Sequence, residues 1–270
     1  MNFKPVFVEG TNLDDTWFQL LYQLWEKGRK YEITSGSHAG SNRLAFDFVS
    51  GFIKYPHTRP LAPIMPEGTD LHPPTTDEKI DSYFADYIMD PHLEPDEEYR
   101  YSSWIAGGND ICKVNQTQWI IDHFKKHGYG NEHCYLNVSN PDSCLAYDRP
   151  FKSCKKCNEF YPPRIKNCPK CGEELNIDEA KRGTSPCLRG LDFRIIDGYL
   201  MTHVIYRSWD LWAGFPENMG GFTLLNEFIA NNLEGVEPGP LSFSCKSLHA
   251  YEHHVGIITK RLNKEFVNGK

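Results

Sequence analysis

An α+β domain interrupted by a small metal-binding ribbon is the fold class this sequence predicts, on three observations. Apolar residues recur at helical spacing over 13–24, 119–124 and 219–229; short runs at 44–48 and 135–138 have strand character; and two Cys-x-x-Cys pairs lie ten residues apart. The 270 residues, 40% hydrophobic and 24% charged, suffice for one large domain or two small ones around a sizeable core. The expected division is a single domain over 1–270 with a ribbon module inserted at 151–175. A net charge of −7 without a long basic run argues against a phosphate-dominated nucleic-acid surface, while a small anionic substrate stays open. No signal-peptide core follows Met1 and nowhere do eighteen apolar residues run together, so a cytoplasmic protein with no membrane partner is expected.

Taken in order, Thr11 or Asn12 caps a helix with Asp14 and Asp15 in its first turn, and Leu13, Trp17, Leu20, Leu21 and Leu24 on one face; it ends near Gly28. The run 35–42, Ser-Gly-Ser-His-Ala-Gly-Ser-Asn, is small enough to wrap a phosphate, but it lacks P-loop spacing and also reads as a plain surface turn. Leu44, Phe46 and Phe48 alternate as in a strand over 44–55, and the prolines between 56 and 74 forbid a regular ladder, so a covering loop follows. A short helix over 79–89 precedes the acidic run Glu94–Glu98, a solvated turn unless one carboxylate points inward. Residues 115–127, with Trp119, Ile120 and Phe124 on one face, form an amphipathic helix, and 135–138 a strand. A buried helix runs to Leu233 from Asn218, whose side chain also suits an N-cap.

Cys154, Cys157, Cys168 and Cys171 form two turns that each aim two thiolates at one ion. Lys155, Lys156, Pro169, Lys170 and Gly172 fill these turns as in zinc-ribbon knuckles. A closed four-thiolate tetrahedron implies structural Zn2+ for a segment too short to bury its own core; a redox dithiol pair is the alternative. Nine cysteines is an odd count, and Cys112, Cys134, Cys144 and Cys245 lack partner spacing and read as buried core thiols. His249, His253 and His254 have no acidic or cysteine partner at ligand spacing, which argues against a second metal cluster.

The chemistry concentrates between Ser185 and Tyr251. This stretch holds Ser185-Pro186-Cys187, Tyr206-Arg207-Ser208-Trp209-Asp210, Gly214-Phe215-Pro216-Glu217-Asn218 and His249-Ala250-Tyr251, with Arg207 twenty residues after Cys187 and Asn218 eight after Asp210. A thiol attacks as its thiolate, which a nearby guanidinium favours. In order and spacing the four segments resemble the thymidylate synthase family. The resemblance implies a large twisted sheet with flanking helices, a homodimer, a pyrimidine nucleotide substrate and 5,10-methylenetetrahydrofolate as co-substrate. It also implies that Cys187 adds to C6 of the base, with Arg207 and Ser208 on the phosphate and His249 and Tyr251 on the sugar hydroxyl. Asp210 and Gly214 would then face the folate, and Asn218 would read the base. Tyr101 would lie near the reacting carbon, Glu98 would organise proton transfer, and Arg43 would reach the phosphate from the early loop. Because an amide can donate to the 4-oxygen of uracil and accept from N3–H, Asn218 points to deoxyuridylate.

The chain departs from the family pattern in five places. Leu188 stands where His is frequent, Asp192 where Gln is usual, and 244–247 replace a Gly-Asp segment. Glu132 and His133 replace a pair of arginines that crosses the dimer interface to grip phosphate, leaving Arg149, Lys181 or Arg182 as substitutes. Residues 266–270 lack the family's hydrophobic tail. The expected reaction is reductive methylation of deoxyuridylate to thymidylate. If water reaches the exocyclic methylene intermediate before hydride, the product is hydroxymethyl instead. A non-catalytic nucleotide or nucleic-acid binder is the reading from another class.

Overall fold

The computed structural model describes residues 2–34, 40–140 and 149–264. Parts of two sequence expectations, the early small-residue loop at 35–39 and the C-terminal segment 266–270, lie outside these residues, as does Cys144. Thirteen strands form three sheets among the described residues. The largest is mixed, in the spatial order β1 (Pro5–Gly10), β4 (Phe48–Ile53), β12 (Glu237–Cys245), β10 (Tyr199–Tyr206), β9 (Leu188–Ile196) and β5 (Tyr135–Asn137). A second sheet orders β11 (Trp209–Asp210), β13 (Leu248–Tyr251), β3 (Asn42–Ala45) and β2 (Arg29–Glu32). The third, β7 (Glu159–Tyr161), β6 (Pro150–Cys154) and β8 (Asn176–Arg182), carries the cysteine pairs.

Helices cover one face of the large sheet. α1 (Leu13–Lys27) starts where the Asn12 side chain accepts from Asp15 N–H at 2.9 Å, and its Trp17, Leu20, Leu21 and Leu24 are buried. α5 (Gly214–Asn231) buries Phe215, Met219, Phe222, Leu225 and Ile229, packing between β10, β12 and α1. It begins four residues earlier than the sequence implies. The Asp210 carboxylate accepts from the amides of Ala213 and Gly214, both at 3.1 Å, and so caps the helix from upstream, leaving Asn218 one turn inside.

Against α5 lie α2 (Asp77–Ser82), opened by Thr76, and the π-helical turn Tyr83–Met89 that continues it. The contact passes over Gly220 and Gly221. A Cβ at Gly220 would meet Ile80 at 2.8 Å, and one at Gly221 would meet Tyr83 at 2.7 Å, so the glycine pair is what lets Tyr83 and Tyr87 approach the end of β10. The short α3 (Ser102–Ile105), α4 (Gln116–His127) and α6 (Glu252–Arg261) complete the helices. No helix among the described residues is long and apolar enough to cross a membrane.

Two local expectations are corrected. The strand over 44–55 divides in two, with β3 joining the second sheet and β4 the first. At the switch Asp47 accepts from Lys4 N–H at 2.8 Å and pairs with Arg29 at 2.9 Å, so Phe46 is buried while Phe48 faces out. On α4 the buried residues are Thr117, Ile120, Ile121 and Phe124; Trp119 is exposed and tilts over His123 at 4.8 Å.

Where β12 carries an irregularity opposite Leu200 and Thr202, buried Asn226 on α5 repairs the broken ladder. Its amide donates to Leu200 O (2.7 Å) and Thr202 Oγ1 (2.9 Å), and its oxygen accepts from Gly239 N–H (3.2 Å). Replacing it by an apolar isostere strands main-chain polar groups in the core, at about 1–3 kcal/mol. Asn226→Leu is therefore expected to lower the urea midpoint with little change in slope; an unchanged midpoint contradicts this role.

Candidate active site

β9 and β10 form a hairpin that turns at Asp197 and Gly198, both at positive φ (51° and 81°), and runs back so that Arg207 lies opposite Cys187. The Arg207 N–H donates to the Cys187 carbonyl at 2.9 Å. The twenty-residue spacing read in the sequence is thus the contour of one hairpin. The guanidinium turns back along the segment before the cysteine: Nη2 donates to Ser185 O at 2.7 Å and Thr184 Oγ1 at 3.4 Å, and Nε to Pro186 O at 3.1 Å. A fixed positive charge therefore holds the backbone that presents the half-buried Cys187.

Tyrosines wall the thiol. Ring centroids link Tyr83 to Tyr87 at 5.2 Å, Tyr87 to Tyr101 at 5.4 Å and Tyr101 to Tyr206 at 6.3 Å. Burial raises the phenols of Tyr87 (to about 12), Tyr99, Tyr101, Tyr206 and Tyr251, which keeps them protonated at neutral pH.

Asn218 projects toward this wall from α5. Its Oδ1 accepts from Trp209 Nε1 at 2.8 Å and from Tyr206 OH at 3.1 Å, and the two aromatic rings stack at 3.9 Å. An indole N–H can only donate, so Trp209 fixes which end of the amide faces it.

Asp210 lies beside His249 in the parallel β11–β13 pairing. His249 is buried, its Nδ1 faces Ser247 O at 3.0 Å, and a carbonyl can only accept, so that nitrogen carries the proton. Tyr251 meets the His249 ring edge-on at 4.9 Å, and Arg43 lies opposite Tyr251 on β3. Ser208 is half-buried between Arg207 and Trp209.

Glu98 is the inward carboxylate of the acidic run. Its Oε1 accepts from Thr184 N–H at 2.7 Å, three residues before Cys187. Burial raises its pKa from 4.5 to about 7, against the lowering effects of the Thr184 amide and Lys181. The structure thus draws Cys187, Arg207, Ser208, Asp210, Gly214, Asn218, His249, Tyr251 and Tyr101 into one region, with Glu98 joined through Thr184 and Arg43 through Tyr251.

Sequence reasoning missed Trp209, Tyr206, Thr184 and the tyrosines at 83, 87 and 99. Trp209 occupies the variable position of Arg-Ser-x-Asp, and the only signal for the wall is the density of tyrosines between 83 and 101. It also missed Arg189, which donates to Ser185 Oγ and Ser139 Oγ, both at 3.4 Å. Of the suggested substitute phosphate cations, Lys181 lies over the Phe151 ring at 4.5 Å and Arg182 pairs with Glu179 at 2.6 Å. Cys112 is partly exposed, unlike buried Cys134 and Cys245.

In the ribbon, the four cysteine sulfurs all lie within 4.8 Å of one another; Cys154 and Cys171 are 3.5 Å apart, Cys157 and Cys168 3.9 Å. A tetrahedron with Zn–S bonds of about 2.3 Å has edges of about 3.8 Å, so the donor set fits zinc. The local core is Cys154, Tyr161, Cys168 and Leu175, with Cys157, Ile165 and Cys171 packed against it.

Residues 171–268 match the family model described as thymidylate synthase. Over these residues the chain is similar to the thymidylate synthase family. The match contains Cys187, Arg207, Asn218 and His249, whereas three of the four ribbon cysteines precede it. Proteins named "Putative thymidylate synthase" from Methanosarcina acetivorans and Methanosarcina mazei are each 24% identical over 246 residues, covering 91% of this chain and 89% of their own length. A third so named, from Methanosarcina barkeri, is 32% identical over 75 residues, covering 28% of this chain and 34% of its own.

Two outcomes are expected. Elemental analysis of reduced protein should find one zinc per chain, and a chelator should unfold the ribbon before the rest of the chain; metal-free, fully folded protein contradicts this. Because Glu98 binds its proton more tightly in the folded chain, its contribution to stability is present below pH 4.5 and lost as pH rises through about 7. Denaturation measured across that window should show this slope in the wild type and lose it in Glu98→Gln; identical slopes contradict the buried carboxyl.

Proposed function

We propose that this protein is a thymidylate synthase, converting deoxyuridylate to thymidylate with methylenetetrahydrofolate. The observation that carries the reading is the Cys187–Arg207 pairing across the hairpin end, with Asn218 facing the same aromatic wall. A half-buried thiol on a segment held by a fixed guanidinium is equipped to attack C6 of a pyrimidine, and flat tyrosine faces suit a nucleobase and a pterin. Methylenetetrahydrofolate would supply the one-carbon unit and the reducing hydride.

This chain's residues then take the following roles. Cys187 forms the covalent bond to C6. Arg207 and Ser208 hold the phosphate, with Arg189 the neighbouring cation. His249 and Tyr251 bind the sugar hydroxyl, Asp210 and Gly214 face the folate, and Arg43 adds positive charge beside Tyr251. Glu98, with a pKa near neutrality, is suited to move the proton, and Tyr101 lies near the reacting carbon. Asn218 reads the base with the amide orientation that Trp209 imposes. Its Oδ1 already accepts two bonds, so its Nδ2 donates toward the 4-oxygen of uracil, and acceptance from N3–H follows when the Tyr206 hydroxyl turns away.

A second copy is the expected partner. Phe7, Phe48, Tyr135, Ile196 and Tyr199 lie on the same, helix-free face of the large sheet and are 66%, 42%, 39%, 42% and 52% exposed. A sheet face that exposes this many large aromatic and aliphatic side chains among polar ones is suited to burial against another sheet. A dimer in solution is expected by light scattering, and Phe7→Glu with Tyr199→Glu should yield monomer; a monomeric wild type contradicts it.

The reaction is tested by competitive turnover of deoxyuridylate and deoxycytidylate with mass detection of product. Methylated uracil nucleotide is expected from the wild type, and loss of turnover by at least about a hundredfold in Cys187→Ser. Trp209→Phe should narrow the preference for uracil, and Asn218→Asp should narrow or reverse it, since unpaired polar atoms in a closed site cost about 1–3 kcal/mol each. A hydroxymethyl product makes the protein a pyrimidine-nucleotide hydroxymethyltransferase. Nucleotide binding without turnover makes it a binder.

A further inference from the structure

We infer that the zinc ribbon is coupled to the active site through Arg164, which acts as a positioning residue for the turn that carries Glu98 and Tyr99. Its relevance to catalysis rests on the function proposed above; the mechanical link does not.

Arg164 lies between the two cysteine pairs, in a loop closed by Ile165 N–H donating to Pro162 O at 3.0 Å and tied to β6 by Lys152 Nζ donating to Ile165 O at 2.9 Å. Its neighbour Ile165 packs against the cysteine cluster. The Arg164 guanidinium leaves the ribbon and enters the acidic turn of the catalytic domain. Nη2 donates to Glu94 O at 2.6 Å and Glu97 O at 2.8 Å, with Pro95 O at 3.5 Å. These carbonyls flank the turn's own closure, Glu97 N–H to Glu94 O at 3.2 Å, so one cation bridges both ends of the turn.

From there the contacts continue inward. Glu98, the next residue, accepts from Thr184 N–H at 2.7 Å; Thr184 Oγ1 accepts from Arg207; and Arg207 holds the carbonyls of Ser185 and Pro186 ahead of Cys187. Hydrogen bonds alternating with short covalent links therefore join a loop whose packing depends on the cysteine cluster to the segment that carries the candidate nucleophile. With four buried side chains at its centre, the ribbon cannot keep Ile165 and Arg164 in place without its metal. Loss of zinc, by chelation or thiol oxidation, then frees the turn from outside.

The test compares wild-type and Arg164→Ala full-length protein, each with zinc bound and after chelation. Arg164→Ala should retain its zinc, and amide hydrogen exchange over 94–101 should rise about tenfold. Chelation should produce the same rise in the wild type but add little in the variant, since both remove one contact. Carbon-13 NMR of glutamate-labelled protein, assigned with Glu98→Gln, should show the Glu98 midpoint falling from about 7 toward 4.5 in Arg164→Ala as the turn opens to water. Unchanged exchange over 94–101, or an unchanged midpoint, overturns the coupling. Neither measurement needs turnover, so changed exchange and midpoint in a protein that makes no thymidylate uphold the coupling and refute the proposed activity.

Discussion

The guanidinium of Arg207 is where the site's separate elements meet. Placed at the end of β10, it binds three successive residues, Thr184 to Pro186, and its own backbone pairs with Cys187. Carbonyl oxygens accept these bonds in fixed directions, so the planar fork sets both the course of the segment and the location of the charge. A lysine would supply a similar charge without fixing the backbone. The same strand end continues into Trp209, and through it to Asn218 on α5, so Cys187, Arg207 and Asn218 share one rigid frame. Thr184 brings Glu98 into contact with this frame from the other side.

That frame depends on packing around α5. Gly220 and Gly221 admit Ile80 and Tyr83, and without that close approach the π-helical turn could not bring Tyr87 toward Tyr101. The aromatic wall is thus set by the absence of two side chains on a helix that otherwise buries Phe215, Met219, Phe222, Leu225 and Ile229. At the opposite end of that helix, Asn226 satisfies an irregular stretch of β10 and β12 that would otherwise leave polar main chain in the core. Rigidity around the thiol therefore has two sources, apolar packing and a few buried hydrogen bonds, and the second is the more exacting because each group has one geometry that satisfies it.

Much of this was legible in the sequence, and the exceptions have physical causes. α1 could be read because an asparagine cap and five apolar positions at helical spacing agree. The site motif could be read because hairpin geometry converts a fixed residue count into spatial opposition. The start of α5 was misplaced because its cap, Asp210, acts from four residues upstream, across a turn that no local pattern marks. The strand near 48 was misjoined because alternation continues through Phe46 and Phe48 while Asp47 anchors a switch between sheets. Trp209 and Arg164 were missed for a related reason: each acts on a segment remote in sequence, one from a variable motif position and the other from an inserted loop.

The proposed function turns on covalent attack by Cys187 on a pyrimidine nucleotide. The most direct measurement is intact-mass spectrometry of protein quenched with acid during exposure to deoxyuridylate and methylenetetrahydrofolate, followed by peptide mapping. A nucleotide-sized mass addition is expected on the peptide that contains Cys187, absent from Cys187→Ser. Turnover with an adduct on another residue, or with the serine variant fully active, would contradict it.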